Sequence, residues 1–279
     1  MEIESVNLNS HGVPKVFATE KSSPKPFGAI GNLEVRLAQD ETEISQVLAM
    51  REQVFQLPKN INVDRYDAVC DHLLVLDKNK PYDPDTGKVV GTYRLINQEH
   101  ANKVGGFYSS QEFEIQPLLE NNKRLKFLEF GRSCVLPEYR GKRTLELLWA
   151  GSWAYIKQHQ IDVLFGCASF NGCEPATHQE ALSFLHHFAD PAKEFDANVV
   201  SKFKGQYERL NKQDIDAKRA IKNLPPLIKG YLRVGAKFGT QIAIDEAFGT
   251  IDLLTILPVK NIDPKYIAYY GANAQKHAC

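Results

Sequence analysis

The chain has 279 residues, 34 Lys plus Arg against 34 Asp plus Glu, and is 43% hydrophobic and 24% charged. That balance excludes a disordered or fibrous chain, and zero formal charge argues against a protein that coats nucleic acid through bulk positive charge. No apolar run approaches the roughly 18–20 residues of a membrane-spanning helix, and MEIESVNLNSHGVPK has neither the basic nor the apolar region of a secretory signal. The 5 cysteines are too few and scattered for a disulfide framework, and no CxxC pair supports a zinc site on Cys167 and Cys173. A reduced, cytoplasmic chain without a bound metal is expected.

Residues 1–32 lack apolar periodicity and are expected to form a loosely held arm, with order beginning at Leu33 and a single domain over 33–279. LEVRLA (33–38) alternates as a half-buried strand does. Asp40 or Thr42 can cap a helix through Phe55, whose face is set by Ile44, Val47, Leu48, Val54 and Phe55, with Pro58 as its stop. HLLVLD and KVVGTYRL predict an antiparallel hairpin across the turn-rich PYDPDTG. A short helix around 112–120, a strand over 126–136, a helix over 144–158, a strand over 161–170 and a helix over 178–188 follow. The strand–helix–strand unit implies a parallel pair with a crossover helix. Residues 190–240 read as polar and irregular, broken at Pro225-Pro226, and 241–259 as two short strands. A mixed sheet with helices on both faces, in one α/β domain, is the fold this order predicts.

Charges that contradict their local pattern mark candidate sites. Arg51 falls near the centre of the apolar arc of its helix, where it snorkels, pairs with an acid of the 64–71 loop, or binds substrate. The strand FLEFGRSCVL carries Glu129 and Arg132 around Gly131. Strict alternation separates the two charges, whereas a bulge at Gly131 puts both on one face. They then form either a buried ion pair or a site whose carboxylate is a general base. Asp64, Asp67, Asp71 and His72 crowd one loop, either solvated or receiving a cationic substrate group; their spacing fits neither an EF-hand nor a zinc-protease helix. Arg94 stands late in an apolar strand, as a strand-end charge reaching solvent or as a ligand-binding residue. Cys134, or a Ser133–His72 pair, has no neighbour in sequence that supports a nucleophile.

The stretch VLPEYRGKRTLELLW (135–149) resembles the acyl-coenzyme A loop of Gcn5-related N-acetyltransferases, in which a helix N-terminus holds pyrophosphate. That loop begins with Gln or Arg and keeps small residues at its fourth and sixth positions. Arg140 matches the first, but Arg143 and Leu145 replace the small ones. The departure fits relatives that draw acyl groups from acyl carrier protein, such as acyl-homoserine-lactone synthases. Arg51-x-x-x-Phe55, Asp64 and Asp67, Arg94, and Glu129-x-x-Arg132 resemble marks of that group in order, while its early-loop Trp has no counterpart. Over 33–271, DHLLVLD, GTYRL, FYSSQEFEI, GRSCVLPEYR, LLWAGSWAYI, LPPLIKGYLRVGAK and DEAFGTIDLL resemble the ornithine-acyl-carrier-protein N-acyltransferases, often labelled "hemolysin-like".

The resemblance implies a three-layer α-β-α fold and transfer of a 3-hydroxyacyl chain from acyl carrier protein to the α-amine of L-ornithine, the first step of ornithine-lipid synthesis. The phosphopantetheine arm of the carrier is then the acyl donor, held by Val135, Arg140, Gly141, Lys142, Arg143 and Thr144, and no resident cofactor is needed. A neutral amine attacks the thioester directly. Glu129 acts as base through water, amides near Arg132 and Ser133 meet the oxyanion, Arg94 or Arg132 clamps the carboxylate, and Asp67 or Asp71 holds the δ-ammonium. Arg51, Phe55, Asp64 and His72 complete the expected substrate pocket. Peripheral contact with the inner membrane suits an amphiphilic product. The competing readings are acyl transfer to another amine, as in signal synthesis, and a membrane-interacting protein without catalysis.

Overall fold

Asp40 caps the first helix: its Oδ1 accepts the Glu43 N–H at 2.9 Å. In the computed structural model, which describes residues 26–56, 59–83 and 85–269, that helix is α1 (Glu41–Phe55). Before it lie β1 (Gly28–Ile30) and β2 (Leu33–Leu37). After it come α2 (Lys59–Asn62), β3 (Asp71–Asp77), β4 (Val89–Asn97), α3 (Gln98–Lys103) and α4 (Gln116–Asn121). Then follow β5 (Phe127–Val135), α5 (Lys142–His159), β6 (Val163–Asn171), α6 (Gln179–Phe188), α7 (Ala217–Asn223) and α8 (Pro226–Val234). The chain continues with β7 (Lys237–Phe238), β8 (Ala243–Asp245), β9 (Thr250–Pro258) and α9 (Pro264–Ile267).

Among the described residues the strands form one nine-stranded sheet in the order β1-β2-β3-β4-β5-β6-β9-β7, with β8 on β9. Every pairing is antiparallel except β5 with β6, which the crossover helix α5 joins. Alternation along the central strands splits the core between two faces. Leu128, Phe130 and Leu164 pack on one side, while Phe127, Val163 and Phe165 pack on the other. Trp149 of α5 and Tyr231 of α8 meet edge-on at 6.1 Å on the first of these faces. This is a single α/β domain with a mixed sheet, as the element order predicts.

Several expectations change. Order begins before Leu33, because β1 turns through Gly31 at φ 63° and pairs with β2; residues 1–25 lie outside the described residues. Pro58 also lies outside them, and α1 ends at Gln56, left-handed at φ 54°, with its N–H on Glu52 O. The helix expected around 112–120 is a 3-10 turn (Tyr108–Gln111) and α4, with Glu112 between them. The stretch read as irregular contains α7, capped by Asp216, and α8, where Pro226 starts the helix it was expected to break. A proline in the first turn costs no hydrogen bond, since that N–H has no helical partner. The last sheet region is also uneven: β8 has 3 residues and β9 has 9.

Candidate active site

The parallel pair is short. It runs only from Phe127 opposite Val163 to Glu129 opposite Phe165. The next residue on β6 is Gly166 at φ 153°, where a Cβ would lie 2.2 Å from the Phe130 carbonyl oxygen, so only glycine fits the parting point. Beyond it the two strands separate around a cavity of about 510 Å³. The cavity reaches through the sheet, lined by Tyr93 and Tyr231 on the α5 side and by Tyr108, Glu112 and Asp252 on the other.

One lip of this cleft is bulged. Thr92 pairs with Cys134 but Arg94 with Gly131, so β5 carries one residue too many. The left-handed residue is Arg132 at φ 51°, one position beyond the glycine at which a bulge was expected. Glu129 and Arg132 do share a face. Glu129 Oε2 accepts the Tyr108 N–H at 2.7 Å, and the Arg132 guanidinium lies 4.9 Å from the Tyr108 ring centre. They are not an ion pair.

Glu129 is 1% exposed. Its Oε1 accepts both the N–H of Ser109, at 2.7 Å, and the Ser109 hydroxyl. Burial raises its pKa above the ordinary carboxylate value, and the donors of Ser109 and Tyr108 oppose that rise. With three donors on about four acceptor positions of a carboxylate, Oε2 keeps room for one more partner.

The expected arginines and loop aspartates form a second network. Arg51, fully buried, donates to Asp67 Oδ1 at 2.6 Å, to Asn62 Oδ1 at 3.2 Å and to the Asn62 carbonyl. Arg94 Nη1 reaches both Asp64 oxygens at 2.7 and 2.8 Å and Asp67 at 3.2 Å. Arg132 Nη2 reaches Asp64 at 3.1 Å. Burial alone would raise the Asp67 carboxyl, but Arg94 and Arg51 overcome it and hold the group below its ordinary value. Arg51 therefore pairs with the acidic loop, and Arg94, 1% exposed, does not reach solvent as a strand-end charge does. Asp67 spends Oδ1 on Arg51 and Arg94 and accepts the Asp64 N–H at 3.0 Å on Oδ2, and it is buried outside the cavity lining. Arg132 has fewer carboxylate contacts and lines the cavity with Phe55.

Asp71 and His72 stand apart from the cavity lining. Asp71 accepts the Tyr155 hydroxyl of α5 at 2.7 Å, and His72 Nε2 lies 3.0 Å from the Asp67 carbonyl. Strand alternation aims Asp71 away from its loop neighbours, a distinction that clustering in sequence does not carry. Ser133 lines the cavity together with the buried Tyr93. Burial pushes the Cys134 thiol up to about 12, which keeps the thiolate nucleophile scarce at neutral pH.

At the mouth, Arg140 Nε donates to the Val135 carbonyl at 3.2 Å. Gly141 caps α5 without a side-chain hydrogen bond, so the first-turn amides of Lys142, Arg143 and Thr144 have no side-chain cap. Lys142 and Arg143 are exposed, while Thr144 is buried beside Gly91.

Sequence reading missed three acids of the cavity wall: Glu112, Asp245 and Asp252, all buried, with carboxylate oxygens within 4.8 Å of one another. Burial, then the Asp252 and Asp245 carboxylates, push Glu112 up to about 9, and burial raises Asp252 as well. The signal was present: Asp252 interrupts TIDLLTILP as Glu129 interrupts its own strand.

Among the described residues no helix is long and apolar enough to cross a membrane. The parting parallel pair, the bulged lip and the helix N-terminus at the mouth belong to a GNAT-like acyltransferase fold, and the chain's relatives make it an N-acyltransferase. A family profile described as "Acetyltransferase (GNAT) domain" matches residues 46–150. The chain belongs to the L-ornithine N(alpha)-acyltransferase family. It is 46% identical over 261 residues to a protein of that name from Brucella abortus (strain 2308), covering 90% of this chain and 92% of that one. It is 45% identical over 261 residues to one from Agrobacterium fabrum (strain C58 / ATCC 33970), covering 90% and 89%. The solved structure of FeeM, an N-acyl amino acid synthase from uncultured soil microbes, shares the fold at TM-score 0.50 and 8% identity, covering 83% of this chain and 94% of that one.

Proposed function

We propose that this N-acyltransferase moves a 3-hydroxyacyl chain from the phosphopantetheine thiol of acyl carrier protein to the α-amine of L-ornithine, giving the lyso-lipid of ornithine-lipid synthesis. The observation that carries the substrate is the identity of 45–46% over about nine-tenths of the chain with proteins named for that acceptor. The cavity supports the reaction class. Its lining draws on residues of both sheet faces, so donor and acceptor can meet at the split.

The amine attacks the thioester carbon as a neutral nucleophile, and Glu129 takes its proton through a water on the free side of Oε2. The raised pKa of Glu129 brings its basicity closer to neutral pH. On the cleft side, β5 has no ladder partner in β6 beyond Glu129, and the bulge at Arg132 disrupts its other ladder; amides here meet the developing oxyanion. Arg132 takes the ornithine carboxylate. The tetrahedral intermediate collapses, the C–S bond breaks, and the carrier thiolate leaves and is protonated. No covalent enzyme intermediate forms.

The donor side reads as a single-phosphate site. Arg140 and the uncapped first turn of α5 suit a phosphate, while Arg143 and the half-exposed Leu145 stand where a coenzyme A pyrophosphate loop needs small residues. Action at the inner face of the cytoplasmic membrane follows from the amphiphilic product. Purified protein incubated with ornithine and 3-hydroxyacyl carrier protein should yield N-acylornithine by mass spectrometry. Equal efficiency with acyl-coenzyme A refutes the donor, and acylation of other amines but not ornithine refutes the acceptor.

A further inference from the structure

Glu112, Asp245 and Asp252 reach the cavity wall from a turn and two strands, yet none takes part in an ion pair among the described residues. Their internal partners are few. Asp245 Oδ1 accepts the N–H groups of Ala247 and Phe248 at 2.9 and 3.1 Å. Cys167 Sγ approaches Glu112 Oε2 at 3.6 Å, and Thr250 Oγ1 approaches Asp252 Oδ2 at 3.4 Å. Asp252 Oδ1 has no hydrogen-bond partner among the described residues, although the side chain is only 5% exposed and lines the cavity. A buried carboxylate without a partner is costly, so Glu112 and Asp252 hold protons until a cation completes the cluster.

The cavity is thus polarised. Asp252 shares its sheet face with Leu254 and Ile256, the face on which Glu129 and Phe127 also lie. Arg132 stands over Phe248, with ring centre and guanidinium 4.4 Å apart, on the loop that carries Asp245 to Asp252. A cationic pole and a cluster of three acids without a basic partner flank one aromatic loop. Between them, Glu129 connects through Ser109 and Cys167 to Glu112, the last two links being 3.4 and 3.6 Å.

We infer that Glu112, Asp245 and Asp252 form the pocket for the side-chain ammonium of a diamino-acid acceptor, and so determine its selection over monoamino acids. The inference rests on the acceptor proposed above. An ammonium has three N–H donors, one for each carboxylate, and the unpartnered Asp252 Oδ1 takes one of them. With carboxylate at Arg132 and side-chain ammonium at the triad, the α-amine is the nitrogen left near Glu129. Groups facing Glu112 are Asp252, Asp245 and Cys167; in the empty pocket the acids share protons, which the arriving cation displaces.

The experiment compares ornithine with norvaline, which has the same skeleton without the δ-amine, using the full chain and one acyl carrier protein donor. Wild-type kcat/KM should favour ornithine by about 100-fold, and Asp252→Asn and Glu112→Gln should each lose ornithine turnover by about 10-fold or more while norvaline turnover is unchanged or higher. A structural role for the triad predicts equal loss for both substrates, and that outcome overturns the inference. So does wild-type protein that acylates norvaline as well as ornithine, a comparison that needs no variant to fold. An ornithine preference abolished by EDTA and restored by a divalent ion also overturns it, since the occupant is then a metal. Wild-type protein that acylates neither refutes the ornithine acceptor itself, a result distinct from loss of discrimination.

Discussion

Replacing Glu129 with Gln tests whether its carboxylate is a base or only a clamp on the 107–111 turn. The carboxylate accepts two backbone N–H groups and a hydroxyl, on both of its oxygens. An amide has one oxygen. If that oxygen serves Ser109, the new NH₂ faces the Tyr108 N–H donor; reversed, it faces the Ser109 N–H. Either way one buried N–H loses its acceptor, which costs about 1–3 kcal/mol. For a chain of this size that lowers the melting temperature by about 2–5 °C. Loss of a general base costs a further factor of about 10²–10⁴ in transfer rate.

Ser109→Ala separates the two effects, because it removes only the hydroxyl donor and leaves the carboxylate. Burial raises Glu129, and the Ser109 hydrogen bond lowers it. Without the hydroxyl the carboxyl rises further, so the acid limb of the pH–rate profile, where the base gains its proton, should move to higher pH. The assay is steady-state acyl transfer at saturating donor between pH 5 and 9, beside a thermal melt of each variant. A Gln variant that melts lower but transfers at nearly the wild-type rate refutes the base role. An Ala variant with an unmoved acid limb refutes the link between this carboxylate and the profile.

Arg51→Met should destabilise by about 3–5 kcal/mol, because it strips a buried partner from Asp67; a melting temperature within a degree or two of wild type, read by calorimetry, contradicts this. Gly166→Ala puts a methyl against the Phe130 carbonyl, so soluble yield or transfer should fall sharply, and a fully active variant would show that the strands part for another reason. The ornithine-to-norvaline ratio in kcat/KM should rise between pH 7 and 9 as Glu112 ionises and attracts the ammonium more strongly; a flat ratio counts against that carboxylate. Reversing Arg140 and Arg143 to Glu should raise KM for acyl carrier protein, as added salt should in the wild type, and change KM for ornithine less. A carrier KM insensitive to both shows that docking is apolar.

Local pattern determined the elements that bury a stripe or an alternating face. Asp40 as a cap, α5 as a crossover and β5 beside β6 are legible because capping and periodicity act within a few residues. The misplaced charges were legible too: an Arg in an apolar arc and a Glu in an apolar strand need an explanation before any fold is known. Their partners were not. Whether Asp67 receives a substrate ammonium or Arg51 depends on how the loop after α2 returns onto α1, and whether Asp71 belongs to the site depends on which way a strand start faces. Asp252 shows the division most clearly. Its place in an apolar strand was visible, but only the sheet sets it beside Glu112 and Asp245. Those residues are more than a hundred positions away in one case and seven in the other, and chain separation says nothing about which carboxylates will share a cavity.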